Sequence, residues 1–157
     1  MILKRFMSKN KKHKMNIKIF LAVVLMLSVI GLNFSYSQSV PKISTSLNKK
    51  TYHPGDKGIL RITFKTDSQT KIPKEPSIIV NINGTGITGI GVEDYSSYPS
   101  GDYLVPPVIK YDFQVSNEVE TGTTINVSGT VKFGYCDYET GICKIATKKI
   151  NFKVKVK

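Results

Sequence analysis

Ile125-Asn126-Val127-Ser128-Gly129-Thr130-Val131-Lys132-Phe133-Gly134-Tyr135 decides the fold. In an extended chain Ile125, Val127, Val131, Phe133 and Tyr135 share one face, and Asn126, Ser128, Thr130 and Lys132 share the other. Successive side chains of a strand point to opposite sides, so this pattern is a strand with one buried and one wet face. The same period recurs on both sides of it. Leu60, Ile62 and Phe64 alternate with Arg61, Thr63 and Lys65, and Tyr111, Phe113 and Val115 with Asp112, Gln114 and Ser116. Ile150, Phe152, Val154 and Val156 alternate with Lys149, Asn151, Lys153 and Lys155, while Ile78, Val80 and Ile82 do so less cleanly. Turn dipeptides separate these runs: Pro54-Gly55, Asn83-Gly84, Ser100-Gly101, Pro106-Pro107 and Thr121-Gly122. No segment after residue 37 has a helical period. Short one-sided strands between turns predict an all-β fold, an antiparallel β-sandwich of two sheets packed face to face. The lysines of the last strand suit a protected edge, because charge discourages pairing with a second chain.

Upstream of these strands the character of the chain changes. Residues 1–37 hold seven of the 23 basic residues and none of the 11 acidic ones. An apolar run from Ile19 to Leu32 follows the basic start, and small residues Ser35 and Ser37 follow the run. That order is the pattern of a secretory signal. We expect a signal peptide over 1–37, with Met15 as an alternative start, and a folded domain over 38–157. The run is short for a membrane span, so a membrane role is expected only if the signal stays uncleaved as an anchor. The expected location is periplasmic or otherwise extracytoplasmic. The net charge of +12 falls to +5 over residues 38–157. That value is ordinary for a small domain and argues against nucleic acid as a partner.

Between Gly84 and Pro107 the alternation fades. Gly84, Gly86, Gly89 and Gly91 lack the spacing of a nucleotide fingerprint, and no helix follows to receive a phosphate. The expectation is a strand with bends and then a long surface loop carrying Glu93, Asp94, Tyr95 and Tyr98.

The chain has two cysteines, Cys136 and Cys143, with six residues between them. Cys136 ends the strand that begins near Thr124, Asp137 to Ile142 form a turn, and Gly141 supplies backbone freedom before Cys143. An exported compartment permits a disulfide. From spacing alone the pair is a structural staple, an exchangeable disulfide or a metal-binding pair. Two thiolates without a neighbouring histidine make a poor zinc site. His53 is the sole histidine after residue 37 and sits in the turn Tyr52-His53-Pro54-Gly55, where a solvated role is expected. Hydrolytic triads and histidine-based metal sites are therefore hard to build, and no cofactor is expected.

The opening Lys50-Thr51-Tyr52-His53-Pro54-Gly55-Asp56-Lys57-Gly58, the strand Leu60–Phe64, and the late strand running into Gly134-Tyr135-Cys136-Asp137 with Cys143 closing the turn form an ordered set. Over about residues 42–157 this set resembles the N-terminal periplasmic domain of the DsbD protein-disulfide reductases. The resemblance implies an immunoglobulin-like sandwich and a thiol–disulfide interchange activity. It makes Cys136 and Cys143 the redox pair, with Cys143 the member attacked. It implies as partners a thioredoxin-like or membrane reductase protein that supplies electrons and periplasmic thiol proteins that receive them. It also implies a cap loop over the disulfide, for which Glu93, Asp94, Tyr95 and Tyr98 are candidates, with Tyr95 or Tyr98 as the shielding ring. The chain departs from the family in its longer gap between the cysteines, in Lys144-Ile145 where the family often has proline, and in Ser68-Gln69-Thr70-Lys71-Ile72 where it often has Gly-x-His. These 157 residues include no transmembrane reductant domain and no thioredoxin-like Cys-x-x-Cys, so the electron donor is expected to be a separate protein. The neighbours of the pair fit Cys143 as the reactive member, with Lys144 favouring its thiolate and Asp137 disfavouring that of Cys136. The competing expectation is a non-enzymatic sandwich for binding or assembly, held by a structural disulfide.

Overall fold

The computed structural model describes residues 39–99 and 101–157; the signal segment expected over 1–37 lies outside them. Eight strands run in the order β1 (Lys42–Leu47), β2 (Lys57–Lys65), β3 (Thr70–Lys71), β4 (Ile79–Asn83), β5 (Ile87–Val92), β6 (Val108–Val115), β7 (Thr124–Asp137) and β8 (Cys143–Lys155). They make two antiparallel sheets, one ordered β1-β2-β6-β5 and the other centred on β7. β8 lies along one side of β7, while β4 and β3 share the other side. The chain crosses between the sheets from β4 to β5 through Gly84-Thr85-Gly86. The architecture is the antiparallel β-sandwich that the alternation predicts, and its strand order is immunoglobulin-like, as the resemblance implies.

Each expected buried face is the one that packs. Leu60, Ile62 and Phe64 of β2, Ile109, Tyr111, Phe113 and Val115 of β6, and Ile125, Val127, Val131, Phe133 and Tyr135 of β7 are all buried. Rings join across the two sheets, Phe64 with Phe133 at 4.8 Å between centroids and Phe113 with Phe152 at 6.3 Å. Such tilted pairs add to the gain from area burial alone. Ile150 and Val154 of β8 complete the core, with Phe152 partly buried against it.

The segment expected as a long surface loop is tied down at several points. β5 bends at a register shift between Gly89 and Gly91, after which Tyr95 turns into the core and takes the Ile78 N–H on its hydroxyl at 2.7 Å. Leu104 is buried, and its N–H donates to the Ile72 carbonyl at 2.8 Å. Pro73 bridges to Tyr103. A polar, glycine-rich stretch therefore contributes two core residues, because an aromatic ring and a leucine anchor it to the segment between β3 and β4.

Candidate functional site

The β7–β8 hairpin builds the site. Its ladder runs without a break from Thr124 opposite Lys155 to Cys136 opposite Cys143. The two cysteines are thus direct cross-strand partners, and they form a disulfide with their Cα atoms 4.0 Å apart. That spacing is the close one, typical of a pair whose backbone groups do not bond each other. The next rung agrees, since the Asp137 N–H donates to the Ile142 carbonyl at 2.9 Å.

The turn between the cysteines is held by Asp137. One of its carboxylate oxygens accepts the Thr140 N–H at 2.8 Å, the Thr140 hydroxyl at 2.9 Å and the Glu139 N–H at 3.1 Å. The Thr140 N–H above all, with the Thr140 hydroxyl, holds this carboxyl below the usual carboxylate range. Gly141 takes φ +68°, a left-handed conformation that costs little without a Cβ, and from there the chain enters β8 at Cys143.

The two sulfurs have different surroundings. Cys136 is 3% exposed, whereas Cys143 is exposed. Tyr138, Ile142 and Ile145 are 68%, 56% and 61% exposed at the same end of the hairpin. Ile145 shares the face of Cys143, two residues along the strand. Cys143 is therefore the member of the pair open to solvent, in an apolar surround.

On the far side of β7, the two-residue β3 pairs Thr70 with Asp137 and Lys71 with Cys136. Partners directly opposite in a ladder project to the same side of the sheet, so Lys71, Cys136 and Cys143 form a row across three strands. The Lys71 ammonium lies 5.8 Å from the centre of the Tyr138 ring. β3 is pinned by Asp67, which accepts the Thr70 N–H at 2.7 Å, and by the Tyr138 N–H, which donates to the Gln69 carbonyl. Gln69 also donates to Glu139 at 2.8 Å. The sequence neighbour Lys144 stands differently. Alternation along β8 sends it to the face opposite Cys143, and Asp137 is engaged in its own turn. The lysine in register with Cys136 is Lys71, which sequence adjacency missed because β3 is two residues long and has no period to read.

The cap-loop candidates occupy a separate set of contacts. Glu93 pairs with Lys110 at 2.9 Å, and Asp94 accepts the Ser96 N–H at 2.8 Å. Tyr95 is in the core, and Tyr98 packs against it, partly buried. Lys74 Nζ donates to the Ser96 and Tyr98 carbonyls at 3.1 and 2.6 Å. This loop is therefore strapped to the β3–β4 connection that also lies over Gly134, two residues before Cys136. His53 sits in its turn, its side chain 66% exposed, with Nδ1 3.8 Å from Asp56.

No family model matches the chain, and no curated protein sequence matches it. Several solved structures are similar to it, two of them as follows. One is the yeast GGA1 GAE domain, with 16% identity over 74% of this chain and 95% of that one, at a TM-score of 0.40. The other is the N-terminal domain of Neisseria meningitidis DsbD in the reduced form, with 11% identity over 74% of this chain and 83% of that one, at a TM-score of 0.29.

Proposed function

We propose that this protein is a thiol–disulfide exchange domain acting outside the cytoplasm through Cys136 and Cys143. The observation that carries the reading is the asymmetry of the pair, with Cys143 open to solvent and Cys136 buried in one cross-strand disulfide. Exchange requires in-line attack by a thiolate on an accessible sulfur and a leaving thiolate of low pKa. Cys143 offers the accessible sulfur, and Cys136, the cross-strand partner of Lys71, is the sulfur that leaves.

In the reductive half, a partner thiolate attacks Cys143 Sγ and the Cys136–Cys143 bond breaks. Its electron pair leaves on Cys136, which takes up a proton. The partner's second thiol, as its thiolate, attacks the partner's own sulfur of the mixed disulfide and releases Cys143. The pair has then gained two electrons and two protons, and the partner holds a disulfide. The reverse sequence passes both electrons to an oxidised protein, with Cys143 attacking and Cys136 resolving. A thioredoxin-like or membrane reductase protein suits the donor role, and exported thiol proteins suit the acceptor role.

Position along the chain also favours exchange over a staple. The bond closes an eight-residue ring at the tip of a hairpin that the β7–β8 ladder already holds. The test is the reduction potential of the pair, with trapping by Cys136→Ser, which leaves Cys143 to hold a mixed disulfide. A potential in the range of exchanging pairs and a trapped partner are expected. A potential below about −300 mV, where inert structural disulfides lie, with nothing trapped, overturns the reading.

A further inference from the structure

β8 pairs with β7 and leaves its other side open. At the far end Tyr52 closes that side, bridging Val156 and bonding Lys155 and Lys157 through its backbone. Over Cys143–Lys149 the side chains are exposed, save for the half-buried Ala146 and Lys148. Alternation of the ladder from the close pair Cys136–Cys143 turns the N–H and C=O of Cys143, Ile145, Thr147 and Lys149 away from β7, toward the open side. An edge of this length with unused donors and acceptors is a template for one more strand.

The side chains select what adds there. β8 carries Lys144, Lys148, Lys149, Lys153 and Lys155 and no acidic residue. None of these lysines joins an ion pair among the described residues. A second copy of β8 would set lysine against lysine, which is unfavourable across a ladder. An acidic strand would set carboxylates against Lys144 and Lys148 on one face and an apolar residue against Ile145 on the other. A polyanion without a peptide backbone would use the charge and leave the edge donors unmet.

We propose that the open edge of β8 over Cys143–Lys149 docks an extended acidic segment of a partner protein, which adds beside it as a strand. The docking stands on the edge itself. Its consequence, delivery of a partner's sulfur to Cys143 at the start of that edge, rests on the exchange reading.

The test uses the full chain with its disulfide intact and a synthetic nine-residue peptide that alternates Glu with Val and Thr and has no cysteine. Binding and amide hydrogen exchange are followed together, with the same peptide bearing Lys for Glu and inorganic polyphosphate as comparisons. The Glu peptide is expected to bind and to slow exchange at the Ile145 and Thr147 amides at least about tenfold, as strand addition requires. Lys144→Glu with Lys148→Glu should weaken the Glu peptide at least about tenfold and admit the Lys peptide, with the circular dichroism unchanged. Binding without slowing of those amides, equal binding of the Lys peptide, or binding of polyphosphate alone overturns the proposal. The peptide lacks sulfur, so these outcomes leave the exchange reading to its own potential measurement.

Discussion

Lys71 is the direct cross-strand partner of Cys136, so its side chain leaves the sheet on the same face as the disulfide. The relationship depends on a strand of two residues held by Asp67 and by the Gln69 carbonyl. On the exchange reading, a cation on that face favours the thiolate that departs when Cys143 is attacked. Lys71→Met is expected to slow reduction of the disulfide by a small thiol severalfold, because it removes a cation from the face of the leaving sulfur. The reduction rate, measured beside that of the unsubstituted protein, checks it.

Acid should loosen the tip of the hairpin before it reaches the core. The Asp137 carboxyl is held low chiefly by the Thr140 N–H, and that of Asp67 chiefly by the Thr70 hydroxyl. A group whose folded pKa is depressed adds stability above its unfolded value, near about 3.9 for aspartate, and that contribution is lost as pH falls through the folded pKa. Denaturation midpoints measured from about pH 6 to about pH 2 should therefore decline below about pH 4. Asp137→Asn should flatten part of that decline while lowering stability at neutral pH, since the amide makes a weaker acceptor for three donors.

Much of the sandwich was legible because its long strands have one wet face. Leu60 to Phe64, Tyr111 to Val115 and Ile125 to Tyr135 carry a strict alternation, and each buries the face it announces. β1 was not legible, since in Lys42–Leu47 the positions are half-buried to exposed and polar residues sit in the middle. Tyr95 was not legible either. Its neighbours are acids and serines, and it is the fold that brings the core to its ring and the Ile78 N–H to its hydroxyl. The turn joining the cysteines could be read from Gly141 and the end of the alternation. The charge beside them could not, because Lys71 comes from a strand 65 residues earlier in the chain.

On the outer side of β7, two residues before Cys136, Gly134 lies close under the β3–β4 connection. A Cβ on Gly134 would lie 3.1 Å from Pro73 Cγ and 3.7 Å from Pro76 Cδ, where the β3–β4 connection lies over the strand. Gly134→Val must push that connection outward. The expected cost is about 1–3 kcal/mol, as for overpacking elsewhere, read from the denaturant midpoint. Because Pro73 follows β3 by two residues, the same substitution should weaken the pairing of Lys71 with Cys136. It should then reproduce the slower reduction expected for Lys71→Met.

Removing the disulfide tests how much of the hairpin depends on it. Closing an eight-residue ring restricts the unfolded chain by about 2.5 kcal/mol in the chain-entropy account. In the folded state the two strands are held by their ladder, and Phe133, Tyr135, Ile150 and Val154 keep them on the core. Cys136→Ser with Cys143→Ser is therefore expected to lose no more than about 2.5 kcal/mol in chemical denaturation and to keep its far-ultraviolet circular dichroism. Phe133→Ala, which empties the ring contact to Phe64, should cost more, about 3–5 kcal/mol. If the serine variant instead unfolds, the bond is a staple that the sandwich requires. On the exchange reading the pair opens in each cycle, so the sandwich has to hold without the bond.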